Sequence, residues 1–392
     1  MSCGCLSGTD ETNQTLTVTI KINSHMYNQF NSRRKFLKDT GLLTGALVTL
    51  PSIASCLSPG QDRLGVALVG LGNYSTSMLG PALKETANCY LSGVVTGTPD
   101  KATKWAQEYN LKQQNIYSYD NYDEIADDPD IDIIYVVLPN SMHAEYSIRA
   151  LEGGKHVICE KPMAMNADEA RQMIEAARKA NRKLAIGYRM HYDPYFIEAK
   201  RLGQEEVFGP VNYMECALGY SSTPRAGSWK TKKSMGGGPL YNLGVYPIQS
   251  ARHTKGSEPV YVTAQATTKR KELYPEVDEI FTWQLEFADG TLCNSYSGDA
   301  GWLDRLFAAC KDGFIQLNPA TAYSGQAGQS TNGAMDYPQV FQQKLQIEDF
   351  ARCVMENEES IVNGEDGLKD MLIIDAIHQS LETGERADVG VV

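Results

Sequence analysis

Several things are scarce in this chain, and each scarcity removes a class of function. Basic charge is one: 36 Lys and Arg stand against 48 Asp and Glu, a net charge of −12. A nucleic-acid partner would need a basic face, so that class is set aside. Cysteine is present nine times but never as a C-x-x-C pair, so spacing supports no metal site and assigns no disulfide. The scattered thiols Cys89, Cys159, Cys216, Cys293, Cys310 and Cys353 are expected to be buried and free. Long apolar runs are also missing. Gly41 to Leu50 is short and mixed with Gly and Thr, too little for a finished membrane span. No stretch rich in Pro, Ser or Gly separates the halves of the chain, so any two domains are closely joined.

What remains is ordinary soluble composition, with 42% hydrophobic and 21% charged residues among 392. That length accommodates two domains. The 21 tyrosines are read as packing residues.

The first 55 residues read as a leader, not as fold. Ser32-Arg-Arg-Lys-Phe-Leu-Lys38 precedes the mild apolar segment and resembles a twin-arginine export signal. Met26 is then the expected start. Ile53-Ala-Ser-Cys56 resembles a lipobox, which makes Cys56 the expected first mature residue and lipidation site. An ordinary cleavage site beside an incidental Cys is the other reading. Export to the periplasm, with a lipid anchor at Cys56, follows from the first.

The organising stretch is Leu64 to Ser75, a run of small and β-branched residues ending in Gly70-Leu-Gly72. It reads as a buried parallel strand, a tight turn and the start of a helix over Thr76 to Glu85. Gly70 permits the turn. Gly72, without a Cβ, lets backbone approach a pyrophosphate, followed by Asn73 and Tyr74. Ser75 replaces the usual third small glycine. A second strand, Tyr90 to Val95, ends in Thr96-Gly-Thr-Pro-Asp-Lys101. An NAD site places a carboxylate at that strand end. Here a hydroxyl at Thr96 and a cation at Lys101 suit a 2′-phosphate, so NADP is expected over NAD.

The alternation of helix and strand continues. Lys101 to Tyr109 is a predicted helix and Tyr122 to Ala126 a short one. Ile131 to Leu138 is a buried strand ending in Pro139-Asn140-Ser-Met-His143, at the carboxyl end where open α/β sheets bind ligands. His143 is expected to be a structural residue or a neighbour of the cofactor. Lys155 to Glu160 ends in Glu160-Lys161-Pro162, facing the same crevice. Asn166 to Glu169 forms a capping box, and Leu184 to Gly187 leads out of the domain. Past Tyr188 the pattern changes to alternating strands: Val211–Gly219, Val260–Thr268, Glu279–Phe287 and Thr291–Ser297. Alternation fits a sheet with two unlike faces. Val340–Glu356 and Leu368–Leu381 read as helices with Gly364-Glu-Asp-Gly367 between them.

Gly70-x-Gly72, Glu160-Lys-Pro162, Gly187-Tyr-Arg-Met-His-Tyr-Asp-Pro194 and Gly236-Gly-Gly238 occur in that order. Together they resemble the glucose–fructose oxidoreductase and inositol dehydrogenase family, nearest its glucose–fructose oxidoreductase branch, from Leu64 nearly to the end. The resemblance implies an α/β fold: a Rossmann domain over 62–187, then an α+β domain over 188–392 with an open, mostly antiparallel sheet. That sheet would wall the substrate on one side and join copies into a dimer or tetramer on the other.

The resemblance also implies chemistry. Oxidising a sugar carbinol needs nicotinamide against the C–H bond, a base for the hydroxyl proton and a cation for the developing alkoxide. Tyr246 closes the Gly236–Tyr246 motif at the position where the branch has Tyr, and is the expected acid/base. Lys161 is the expected cation, lowering the phenol's pKa from about 10. A core tyrosine and a surface lysine are the bland alternatives. Arg189 and Tyr192 either contact sugar or form a buried hinge. Trp229, with Lys230 and Lys232, either lies beside the substrate or is a solvated loop. Asn242 replaces the family's usual Asp, so it can hydrogen-bond a sugar but carries no charge. Between Cys56 and the first strand only Leu57 to Arg63 remain, too little for the arm with which that branch covers a neighbour's nucleotide. The expected function is an exported NADP-dependent sugar oxidoreductase that recycles its own nucleotide. A glycoside hydrolase using transient NAD-dependent oxidation, and a non-catalytic sugar or nucleotide sensor, are the alternatives.

Overall fold

The computed structural model describes residues 63–225 and 227–390. The leader, the Met26 start and Cys56 lie outside the described residues.

Apolar strands and amphipathic helices alternate first. Their order is β1 (Leu64–Val69), α1 (Gly80–Glu85), β2 (Cys89–Val95), α2 (Pro99–Tyr109), β3 (Ile116–Tyr117), β4 (Ile133–Val136), α3 (His143–Glu152), β5 (His156–Cys159), α4 (Ala167–Ala180) and β6 (Leu184–Ile186). The strands form a six-stranded sheet in the order β3-β2-β1-β4-β5-β6, paired in parallel throughout. β1 and β4 are buried along their whole length, as a sheet covered on both faces requires. The order reverses beside β1, between β2 and β4. Crevices at such switch points, beyond the carboxyl ends of the strands, are where open sheets take ligands. The cap of α4 is half as expected: Asn166 accepts from the Glu169 amide at 2.9 Å. Glu169 returns the bond one residue earlier, to the Met165 amide at 3.0 Å.

The second half contains α5 (Pro194–Gln204), β7 (Val211–Ser221), α6 (Val245–Lys255), β8 (Pro259–Thr267), β9 (Ile280–Phe287) and β10 (Leu292–Gly298). There follow β11 (Ala300–Cys310), β12 (Gly313–Leu317), β13 (Gly328–Ser330), β14 (Gly333–Met335), α7 (Gln342–Glu356), α8 (Gly364–Thr383) and β15 (Ala387–Asp388). Nine strands form one sheet, β14-β13-β12-β11-β7-β10-β9-β8-β15. All neighbours are antiparallel except β7 and β10. Helices α5, α6 and α8 pack against this sheet.

Two findings differ from the sequence reading. Strands β3 and β11 to β15 and helices α5 and α6 were not anticipated. β11 reads Ala-Gly-Trp-Leu-Asp-Arg-Leu-Phe-Ala-Ala-Cys, without a β-branched residue, so local propensity hides it. Its neighbours β7 and β12 impose the extended form. Second, Gly364–Gly367 is not a connection between helices but the first turn of α8. The Asn363 side chain caps it, accepting from the Asp366 amide at 3.0 Å. At Gly367 a Cβ would lie 2.7 Å from Met163 Sδ and 2.9 Å from Ile186 Cγ1. Glycine there lets α8 dock on the first sheet. The Ile186 amide also donates to Val362 O at 2.8 Å, which joins the two halves through the backbone.

All six cysteines among the described residues are buried and free. Among the described residues no helix is long and apolar enough to cross a membrane.

Candidate active site

The nucleotide side is built on the turn after β1. Gly70 has φ +95°, and a Cβ there would stand 2.4 Å from Val137 O, so only glycine fits. Ser75 donates its hydroxyl to Gly70 O at 2.6 Å, which pins the turn in the way a third glycine would only permit. Nothing lies within 4 Å of a Cβ placed on Gly72. That open backbone, followed by exposed Asn73 and half-buried Tyr74, leads into the helical run Ser75–Glu85. Its leading amides face the place where a pyrophosphate would sit. The residues therefore fit a dinucleotide.

At the end of β2 the Thr96 hydroxyl accepts from the Thr98 amide at 3.2 Å and shapes the turn. Lys101 stands exposed in the first turn of α2. Pro139 opens the turn after β4. Asn140 donates to Gly236 O at 2.7 Å, which ties the nucleotide side to the triglycine segment. His143 is buried, and both ring nitrogens face carbonyls, Pro162 O at 2.7 Å and Leu138 O at 2.9 Å. Its ring is a clamp between two strand-end loops, with no nitrogen left for a cofactor.

Glu160 ends β5 and is buried. It accepts from Tyr135 Oη at 2.7 Å and from the Lys161 amide at 3.3 Å. Its carboxyl lies against Gly187, where a Cβ would come within 2.6 Å of Oε1. That contact explains glycine at the start of the Gly187–Pro194 motif. Lys161 turns into the cleft and donates to the backbone carbonyl of Asn242 at 2.7 Å. Burial pushes its pKa down to about 8; Glu160 opposes the fall and Arg189 adds to it.

Tyr246 arrives from the first turn of α6, 8% exposed. The Lys161 ammonium is 5.0 Å from its ring centroid, and the Arg189 guanidinium 5.1 Å. The two residues singled out for proton and charge work are thus neighbours in the crevice between the two sheets. The expected electrostatics differ in one respect. Burial raises the Tyr246 pKa, and the cation that lowers it is Arg189, while Glu160 raises it further. Burial disfavours the charged form of Lys161, and the tuning falls to the guanidinium.

Arg189 is 4% exposed. It donates to Gln342 Oε1 and Thr321 O and lies 4.1 Å over the Tyr323 ring. Its Nε is buried with no partner among the described residues. It is both hinge and cleft residue. Tyr192 is hinge alone: its hydroxyl donates to Asp349 Oδ2 on α7 at 2.9 Å, so the structure does not bring it to the Lys161–Tyr246 pair. Asn242 contributes its main-chain carbonyl. Trp229 is half-buried in the turn Trp229–Thr231. Its neighbour Lys230 is held below the usual lysine value by desolvation of its ammonium and then by the charge of Lys161. The triglycine segment folds onto this turn: a Cβ on Gly237 would sit 2.6 Å from Lys230 O.

Sequence reasoning missed Tyr323 and Asp304. Asp304 is buried on β11 and takes the Ala320 and Thr321 amides and the Thr321 hydroxyl on one oxygen. Its strand had no local signature, and the loop carrying Tyr323 has no motif. A second titratable cluster, His191, His253 and Asp366, lies apart. His191 Nε2 pairs with Gln249 Oε1 at 2.6 Å, and Asp366 takes Arg252 at 2.9 Å and His253 at 3.1 Å. It ties α6 to α8.

Residues 64–188 match the family model described as an oxidoreductase family with an NAD-binding Rossmann fold. Residues 196–313 match the GFO/IDH/MocA C-terminal domain. The structure is similar to that of an aldose–aldose oxidoreductase from Caulobacter crescentus in complex with glycerol. The match has TM-score 0.80 and 36% identity, over 83% of this chain and 99% of that one. A D-xylose 1-dehydrogenase [NADP(+)] of Haloarcula marismortui is 27% identical over 329 residues, 81% of this chain and 91% of its own. A trans-1,2-dihydrobenzene-1,2-diol dehydrogenase of Xenopus laevis is 35% identical over 192 residues, 48% of this chain and 54% of its own. A 3-ketoreductase from Actinomadura kijaniata shares the fold at TM-score 0.73 and 21% identity. Two family models in tandem and a relative matched over 99% of its length lead to one conclusion: the chain belongs to the GFO/IDH/MocA family of oxidoreductases.

Proposed function

We propose that this protein is an exported NADP-dependent sugar oxidoreductase that moves hydride between sugars on a nucleotide it does not release. The observation that carries the reading is the Lys161–Tyr246–Arg189 group, with both cations about one ring-width from the phenol, in the crevice opposite the Gly70–Gly72 turn. Bound nicotinamide would accept hydride from a sugar carbinol and return it to a second sugar carbonyl. Every other part of the chemistry belongs to the chain. Tyr246, its pKa above the usual phenol value, holds its proton at neutral pH and donates it to the carbonyl oxygen during reduction. That donation leaves a phenolate, stabilised by Arg189, and the phenolate oxygen takes the hydroxyl proton when the next sugar is oxidised, so proton and hydride balance over the two half-reactions. Lys161, with a pKa of about 8, is the cation for the developing alkoxide, aimed by Asn242 O. Gly70, Gly72, Asn73, Tyr74 and the Thr96 turn would hold the dinucleotide. Exposed Lys101, with no carboxylate at the end of β2, favours the 2′-phosphate of NADP over NAD.

Similarity to an aldose–aldose oxidoreductase supports sugars on both sides of the exchange. The Ser32–Lys38 and Ile53–Cys56 motifs support export of a folded, cofactor-loaded protein to the periplasm, with a lipid anchor on Cys56. The outer face of the nine-stranded sheet is the proposed contact between copies. The test is to purify the mature protein without added nucleotide and identify by mass what denaturation releases. Aldoses are then titrated while reduced-nicotinamide absorbance is followed. NADP released, and reduced by an aldose, supports the reading. No nicotinamide binding, or net glycoside hydrolysis without sugar exchange, overturns it.

A further inference from the structure

We propose that Tyr323 and Tyr74 form a clasp across the nucleotide crevice that slows departure of the bound dinucleotide. The inference rests on the reading above and adds a residue with no motif behind it. Tyr74 belongs to the turn after β1, two positions beyond the open backbone of Gly72. Tyr323 comes from the other half of the chain, in the loop between β12 and β13. Their rings stack with centroids 6.3 Å apart and planes 29° apart. Any dinucleotide lying along the Gly72 turn toward Lys161 has this pair beside it.

The loop is built to hold Tyr323 in place. Asp304 Oδ1 accepts from the Ala320 amide at 3.1 Å and from the Thr321 amide at 2.9 Å. From the other side Arg189 donates to Thr321 O and to Ala322 O at 3.4 Å, and the Gln339 carboxamide oxygen accepts from the Gly325 amide at 2.9 Å. Two buried charges thus fix a loop whose own side chain is 49% exposed. A core tyrosine would be covered, and a surface tyrosine would not need that foundation. Arg189 joins the clasp to the chemistry, with its guanidinium between the Tyr323 and Tyr246 rings. The buried Nε of Arg189, unpartnered among the described residues, is a donor left for something that enters the cleft.

An aromatic pair and a stacked guanidinium set the size of the effect, roughly tenfold in dissociation rate. The full chain is loaded with NADPH, excess NADP is added, and nicotinamide fluorescence is followed as NADPH leaves. Tyr323→Ala and Tyr323→Leu are expected to release it roughly tenfold faster than the parent. Tyr323→Phe should stay within about twofold, because the ring and not the hydroxyl makes the contact. Tyr74→Leu should accelerate release alone, and adding Tyr323→Leu should add little, since the two rings act as one contact. Unchanged release in both Tyr323→Ala and Tyr323→Leu overturns the clasp and leaves the cofactor assignment standing. A parent protein that binds no NADPH overturns both.

Discussion

Replacing Tyr246 by Phe separates catalysis from stability in a single measurement pair. The ring is packed in the cleft and survives the change. Only the hydroxyl is lost, and Arg189 is the one group that stabilises its charged form. A hydrogen bond to that guanidinium contributes about 1.5–3 kcal/mol, so the melting temperature should fall by no more than a few degrees. Burial also favours losing the hydroxyl, which offsets part of that cost. The chemical step loses its proton donor and acceptor, an effect of about 10²–10⁴ in turnover. The assay is single-turnover reduction of the bound nucleotide by a saturating aldose, beside a thermal melt and a nucleotide-binding titration. The expected result is a loss of at least a hundredfold in rate, an unchanged nucleotide Kd and a near-parental melt. A variant retaining more than about a tenth of the parental rate would refute the assignment of the proton to Tyr246. A large fall in stability would show instead that the hydroxyl is a structural tie.

Lys161→Met tests the buried ammonium in nucleotide-free protein. The folded pKa of about 8 lies below the unfolded value of about 10.4. The unfolded chain therefore binds more protons between those values, and stability contributed by Lys161 rises with pH across that window. The difference between parent and variant in urea unfolding should change by about 2–3 kcal/mol from pH 7.5 to 10.5; parallel curves would show that the ammonium is not desolvated. Lys101→Glu should weaken NADP binding relative to NAD by roughly tenfold or more, because a carboxylate replaces the cation offered to the 2′-phosphate. An unchanged ratio in fluorescence titrations would remove Lys101 from the site. Arg252→Met should destabilise the fold by about 3–5 kcal/mol. Its side chain is 2% exposed and holds Asp370 at 2.5 Å, Glu258 at 2.5 Å and Asp366 at 2.9 Å. Without it, the buried carboxylates of Asp366 and Asp370 lose their cation. A loss below about 1 kcal/mol in urea melts would mean that they find other partners.

The sequence alone determined what is written in local chemistry. Gly70 needs a backbone that only glycine tolerates. The apolar strands β1 and β4 can only be buried on both faces, and Asn166 with Glu169 marks a helix start. Those features fix a parallel sheet with its ligand crevice, and the run of motifs from Gly70 to Tyr246 fixes the family. The tertiary structure decided whatever depends on residues distant in the chain. β11 has no β-branched residue and is extended because β7 and β12 hydrogen-bond to it. Tyr192 turns to Asp349 and away from the cleft, because α7 packs where it does. Arg189, not Lys161, is the cation that lowers the Tyr246 pKa, since a pKa follows burial and distance in space. Tyr323 had no signal at all. It joins the site only because Asp304 and Arg189, from two other parts of the chain, hold its loop against the turn after β1.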